Sequence, residues 1–154
     1  MQLTVLRAAA DAGSVGQHGR TMAKLFRVIL PVGDIRSAGQ FYESVLAQQG
    51  QRVSPGRHYF DCEGTILACY DPRADGDGYD AKPVPEPVYL AVDDLEATFR
   101  RAKDAGAVFS SDVVPDVGPL GQIAQRPWGE RSFYANDPFG NPLCFVSRES
   151  VFTG

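Results

Sequence analysis

Hydrophobic and polar positions along the chain change period several times, and each change predicts an element. From Arg27 to Pro31, Val28 and Leu30 fall on one face and Arg27, Ile29 and Pro31 on the other, the two-residue period of a strand. The strand-like segment extends from Leu25 to Val32. Asp34 then stands where a helix N-cap belongs. Behind it Ile35, Ala38, Phe41, Tyr42, Val45 and Leu46 recur at helical spacing, with Gly50 as the expected stop. Tyr59 to Cys62 and Thr65 to Tyr70 read as two more strands joined at Glu63-Gly64.

The pattern then repeats. Pro87 to Asp94 superposes on Arg27 to Asp34 at a shift of sixty residues, matching Val28 to Val88, Leu30 to Leu90, Val32 to Val92 and Asp34 to Asp94. Asp94 caps a second helix with Leu95, Thr98, Phe99 and Ala102 inward and Gly106 as its end. Strand-like runs follow at Val108 to Val114, Ile123 to Gln125, Arg131 to Ala135 and Leu143 to Val146. The last two flank Asp137-Pro138-Phe139-Gly140-Asn141, a tight-turn composition that predicts a hairpin. Between the repeats, Asp71 to Pro87 is rich in Asp, Gly and Pro and reads as a linker. Asp75, Asp77 and Glu86 faintly suggest a calcium loop, but Asp80 occupies the position of the tight-turn glycine and Tyr79 that of an oxygen ligand. The division predicted is an extension over 1–21, a first module over 22–72, a linker over 73–86 and a second module over 87–154, with Met22 as an alternative start.

Composition narrows the function classes. The 154 residues carry a net charge of -4 and a pI near 5.1, without the clustered Lys and Arg that phosphate backbones or anionic membrane surfaces require. No apolar run approaches the roughly 18 residues of a membrane span. The N-terminus lacks the basic start of a secretion signal. Cys62, Cys69 and Cys144 are odd in number and form no C-x-x-C pair, which points to reduced thiols and a cytoplasmic location. No phosphate-binding glycine loop, zinc spacing or Ser-His-Asp signature is present.

The repeated strand-V-x-D-helix openings, the linker and the Gly129-Glu130-Arg131-Ser132-Phe133 segment running into D-P-F-G-N together resemble the vicinal oxygen chelate superfamily of glyoxalases, bleomycin-resistance proteins and dioxygenases. The resemblance covers Lys24 to Val146. It implies an α+β fold of two tandem βαβββ modules forming a curved mixed sheet, with helices on the convex side and a ligand cavity on the concave side. The face bearing Val28, Leu30, Val88, Leu90, Leu143 and Phe145 would lie under the helices.

The family's metal enzymes hold a divalent ion at four places, which map here onto Arg27, Ala68, Pro87 and Cys144. Arginine only donates, and alanine and proline offer no ligating atom. Past the extension, His58 is the sole histidine, too few for an iron facial triad. No cofactor is expected. The expectation is a metal-independent protein that binds or sequesters a small, flat, polar or anionic molecule, and a homodimer by resemblance. The alternatives are a metal-dependent lyase or dioxygenase with unusual ligands, a metal-free isomerase using His58, or an interaction module with a filled cavity. The candidate contacts are Arg27, His58, Tyr89, Trp128, Arg131, Tyr134 and Cys144. A tryptophan near the place of Trp128 stacks on flat ligands in drug-sequestering relatives, and plugging the end of the sheet is its structural alternative.

Overall fold

The structure, a computed structural model, describes residues 21–151. Apart from Thr21, the extension assigned to residues 1–21 lies outside the described residues.

Each module opens as its alternation predicts. Strand β1 (Arg27–Pro31) leads into helix α1 (Ile35–Leu46), whose first turn is fixed by the Asp34 carboxylate accepting from the backbone N–H groups of Arg36 and Ser37, both at 3.1 Å. The helix stops before the expected glycine, with Ala47 in the left-handed region at φ 52°. Strands β2 (Gln51–Ser54), β3 (Arg57–Cys62) and β4 (Thr65–Tyr70) complete the first module.

The second module runs β5 (Val88–Val92), α2 (Leu95–Ala105), β6 (Val113–Val114), β7 (Gly118–Pro119), β8 (Ala124–Gln125), β9 (Arg131–Asn136) and β10 (Pro142–Ser147), with a 3-10 turn at Arg148–Ser150. Asp94 caps α2 through the Ala97 N–H at 3.0 Å, and Gly106, at φ 96°, ends it. Of the expected Val108 to Val114 strand, only Val113–Val114 forms; Val108 makes an isolated bridge to Asn136.

The two modules have matching sheets, ordered β1-β4-β3-β2 and β5-β10-β9-β8, with β6 and β7 forming a small separate ribbon. In each, the opening strand pairs in parallel with the closing strand and the other pairings are antiparallel. The expected curved sheet is therefore present as two four-stranded halves, and β1 and β5 are not hydrogen-bonded to each other.

The helices share one core. Leu30, Phe41, Tyr42, Val45, Phe60, Leu95, Ala102, Phe133, Leu143 and Phe145 are all buried within it. Side chains from both modules meet at a buried polar knot. Asp137, 1% exposed, accepts from the Tyr42 hydroxyl at 2.7 Å and from Phe139 N, Asn141 N and Asn141 Nδ2 at 2.8–2.9 Å. Asn141 Nδ2 also donates to the Pro31 carbonyl, and Val84 N donates to Asn141 Oδ1. A buried carboxylate needs several donors to offset lost hydration, and this one has four, two of them backbone N–H groups of its own turn.

The linker is pinned to the first module. Asp75 accepts from Ser54 Oγ and Gly56 N and pairs with Arg57 at 3.3 Å.

Candidate functional site on the outer sheet faces

Strand parity decides which side chains reach the helix-free faces. Leu143 and Phe145 are buried against the helices, so Cys144 and Val146 point the other way. The register places Cys144 opposite Tyr89 on one side and Tyr134 on the other, so these three form a cross-strand row on the outer face of the second sheet. The matching row on the first sheet is Ile29, Ala68 and Tyr59. Ala68 and Cys144 are thus equivalent positions of the two modules.

On the second sheet the row is aromatic at both ends. The Tyr89 and Tyr134 rings meet edge to face at 6.4 Å. Burial, with a hydrogen bond to Tyr89, holds the Tyr134 phenol above its ordinary range. Burial also pushes the Cys144 thiol up to about 11, so it is a neutral filler at physiological pH.

Beside this row lies a recess of about 350 Å3 lined by Tyr89, Ala91, Trp128, Glu130, Val146 and Val151. Tyr89 is 57% exposed and Trp128 is 50% exposed. The indole N–H donates to Glu130 Oε1 at 2.9 Å, which fixes the ring's orientation. Trp128 therefore lines the recess with half of its surface exposed.

Arg126 supports this site from below, and nothing in its sequence neighbourhood marked it. It is 2% exposed, and its guanidinium donates to Ser132 Oγ and the carbonyls of Val117, Pro119, Gln122 and Ser132 at 3.0–3.2 Å. All five donors are thereby used. Its Cζ sits 5.3 Å from the Tyr134 ring centroid, so the cation also braces that ring. Only a single Arg before the Pro-Trp-Gly turn could have hinted at it.

On the first sheet Arg27 is exposed, with its Cζ 5.0 Å from the Phe26 ring centroid and 5.2 Å from that of Tyr59. Among the described residues no carboxylate forms an ion pair with it.

Two sequence candidates are not brought to these faces. Arg131 shares its strand face with Phe133, on the helix side, and pairs with Glu96 in the first turn of α2. His58 shares its face with Phe60 and is buried between sheet and helix. Its Nδ1 accepts from Arg52 Nε at 3.2 Å and its Nε2 faces Glu43 Oε2 at 3.3 Å. Because Nδ1 accepts, the ring proton sits on Nε2 and is donated to Glu43.

A larger cavity lies elsewhere. A cleft of about 600 Å3 lies between the β3–β4 hairpin end and β5 and is lined by Val28, Leu67, Val88, Tyr89, Leu90 and Val92 among others, with Arg101 and Arg148 also on it. Tyr89 borders both this cleft and the smaller recess, whereas Trp128 borders only the recess.

The four places where a divalent ion would sit do not fit one. Arg27 and Pro87 open the strand regions, Ala68 is a buried methyl, and the Cys144 thiol is protonated. Among the described residues, no three His, Cys, Asp or Glu side chains gather into a metal-holding group.

Paired βαβββ modules with both helices packed on one side of the sheets define the fold class. The Glyoxalase/Bleomycin resistance protein/Dioxygenase superfamily model matches residues 24–145, and the chain belongs to that superfamily. Solved structures agree on the fold. A glyoxalase-related enzyme from Fulvimarina pelagi is similar at 16% identity, with a TM-score of 0.66 over 86% of this chain and 94% of that one. A glyoxalase/bleomycin resistance protein from Albidiferax ferrireducens T118 is similar at 18% identity, with a TM-score of 0.62 over 80% and 97%. Lactoylglutathione lyase from Agrobacterium tumefaciens is similar at 19% identity, with a TM-score of 0.58 over 83% and 96%. A search of curated proteins finds no match to the chain. Among the described residues, no helix is long and apolar enough to cross a membrane.

Proposed function

We propose that this chain binds a small, flat, polar molecule on the outer faces of its sheets without a metal ion. The observation that carries the reading is the recess beside Tyr89 and Trp128, where half-exposed aromatic rings flank aliphatic side chains. Such a surface buries a planar ligand by stacking and apolar contact, while a few polar groups orient it. Arg27, stacked but without a carboxylate partner among the described residues, suits an anionic substituent at the first sheet. Titrating planar compounds against metal-free protein and following Trp128 fluorescence tests this. Saturable quenching by at least one compound is expected, and an unresponsive Trp128 across a broad panel would contradict it.

The reading includes a homodimer. Ile66 N donates to Phe26 O and Val32 N to Tyr70 O, so the even-numbered residues of β1 face β4 and the backbone of Arg27 and Ile29 points to a free edge. Around that edge Met22 is 78% exposed, Leu25 70% and Phe26 53%. An apolar, unprotected edge strand invites pairing, and a second copy would cover it. Phe26→Asp is expected to shift the chain to monomer in analytical ultracentrifugation, and an unchanged dimer would remove this edge from the interface.

A further inference from the structure

The charge of the groups around the Tyr89–Trp128 recess selects among flat ligands. Among the described residues, no Lys or Arg lines it. Of the two nearest arginines in sequence, Arg126 gives all five N–H donors to protein oxygens, and Arg131 is turned to the helix side against Glu96. The recess is lined by the rings of Tyr89 and Trp128, the aliphatic side chains of Ala91, Val146 and Val151, and Glu130.

Trp128 donates its indole proton to that carboxylate at 2.9 Å. A donor N–H hydrogen-bonded to an anion leaves the indole more electron-rich, which deepens the negative potential over its face. Ring faces attract cations and repel anions.

We propose that this recess recognises an organic cation, namely a flat or compact head carrying a protonated or quaternary nitrogen, through the faces of Tyr89 and Trp128. The proposal rests on the outer face being a ligand site and adds the ligand's charge at this end. It divides the two faces by sign: the exposed Arg27 of the first sheet suits an anionic group, and the second sheet takes the cationic one.

Two isosteric probes, N,N,N-trimethylanilinium and neutral tert-butylbenzene, separate charge from shape, and benzoate adds a flat anion; each is titrated against the full chain with Trp128 fluorescence as readout. The expected result is saturable binding of trimethylanilinium about fivefold tighter than tert-butylbenzene, with benzoate weaker than both. Tyr89→Leu, at a half-exposed position that leaves the core intact, is expected to reduce trimethylanilinium affinity about fivefold while leaving tert-butylbenzene within about twofold. Equal or tighter binding of the neutral or anionic probe overturns the cation assignment and leaves the outer face as a ligand site. If none of the three probes perturbs Trp128, the cation assignment fails together with the assignment of this recess as a site.

Discussion

Replacing Tyr42 by Phe removes one oxygen from the knot that joins the two modules. Tyr42 is fully buried on α1, and its hydroxyl donates at 2.7 Å to Asp137 Oδ2 in the β9–β10 turn. Burial, reinforced by the neighbouring carboxylate, holds the phenol well above its ordinary range, so it stays a donor at any pH the fold tolerates. In the variant Oδ2 keeps only Asn141 Nδ2 as a partner, while Oδ1 keeps Phe139 N and Asn141 N. No volume is added and the ring still packs against Phe41 and Phe60. The loss is one buried, charge-assisted hydrogen bond, about 2 kcal/mol. For a chain of this size that lowers Tm by about 4–8 °C. Because the bond crosses between modules, both should lose stability together, as a single denaturant transition with a lower midpoint and unchanged slope. A variant within about 0.5 kcal/mol of the parent, or one that unfolds in two steps, would refute the claim that the knot couples the modules.

Other consequences follow from the same packing. A Cβ on Gly50 would lie 2.5 Å from His58 Nε2 and 2.7 Å from the Phe60 ring, so Gly50→Ala is expected to destabilise by about 1–3 kcal/mol in chemical denaturation; a neutral effect would mean His58 is free to move. Burial raises the Cys69 thiol to about 12 and the Cys144 thiol to about 11. Folding thus favours the protonated thiols: their contribution is complete below the ordinary thiol pKa near 9 and is lost as pH rises towards 11–12, which pH-dependent melting should show as a progressive alkaline decline. For the same reason both thiols should resist a disulfide reagent at pH 8 in the native state and react once the chain is unfolded.

The parts of the fold legible in the sequence were those governed by local rules. The alternation around Val28 and Leu30, its return at Val88 and Leu90, the caps at Asp34 and Asp94 and the D-P-F-G-N turn all depend on neighbours within a few residues. Strand β2 is mostly exposed and carries no clean alternation, so it gave no periodic signal of its own. Helix α1 ends at Leu46 because Ala47 takes the left-handed turn that the pattern assigned to Gly50, which is needed instead for close approach to His58.

The site was legible only in part. Tyr89, Tyr134 and Cys144 follow from strand parity once the register is known, and Arg27 follows from β1 alone. Arg131 and His58 depend on the parity of β9 and β3, fixed by partners that local sequence does not reveal. Arg126 was invisible because its role comes from five acceptors, two on Ser132 of β9 and three in the segment Val117 to Gln122 around β7, and a buried cation has no periodic signature.

The most direct test of metal-free binding on the outer sheet faces is a calorimetric titration with a compound that quenches Trp128, carried out before and after exhaustive chelation, with the metal content of the protein measured alongside. Unchanged affinity and heat after chelation, on protein with substoichiometric metal, is the expected result. Binding that disappears with the chelator and returns on adding one divalent ion per chain would contradict it.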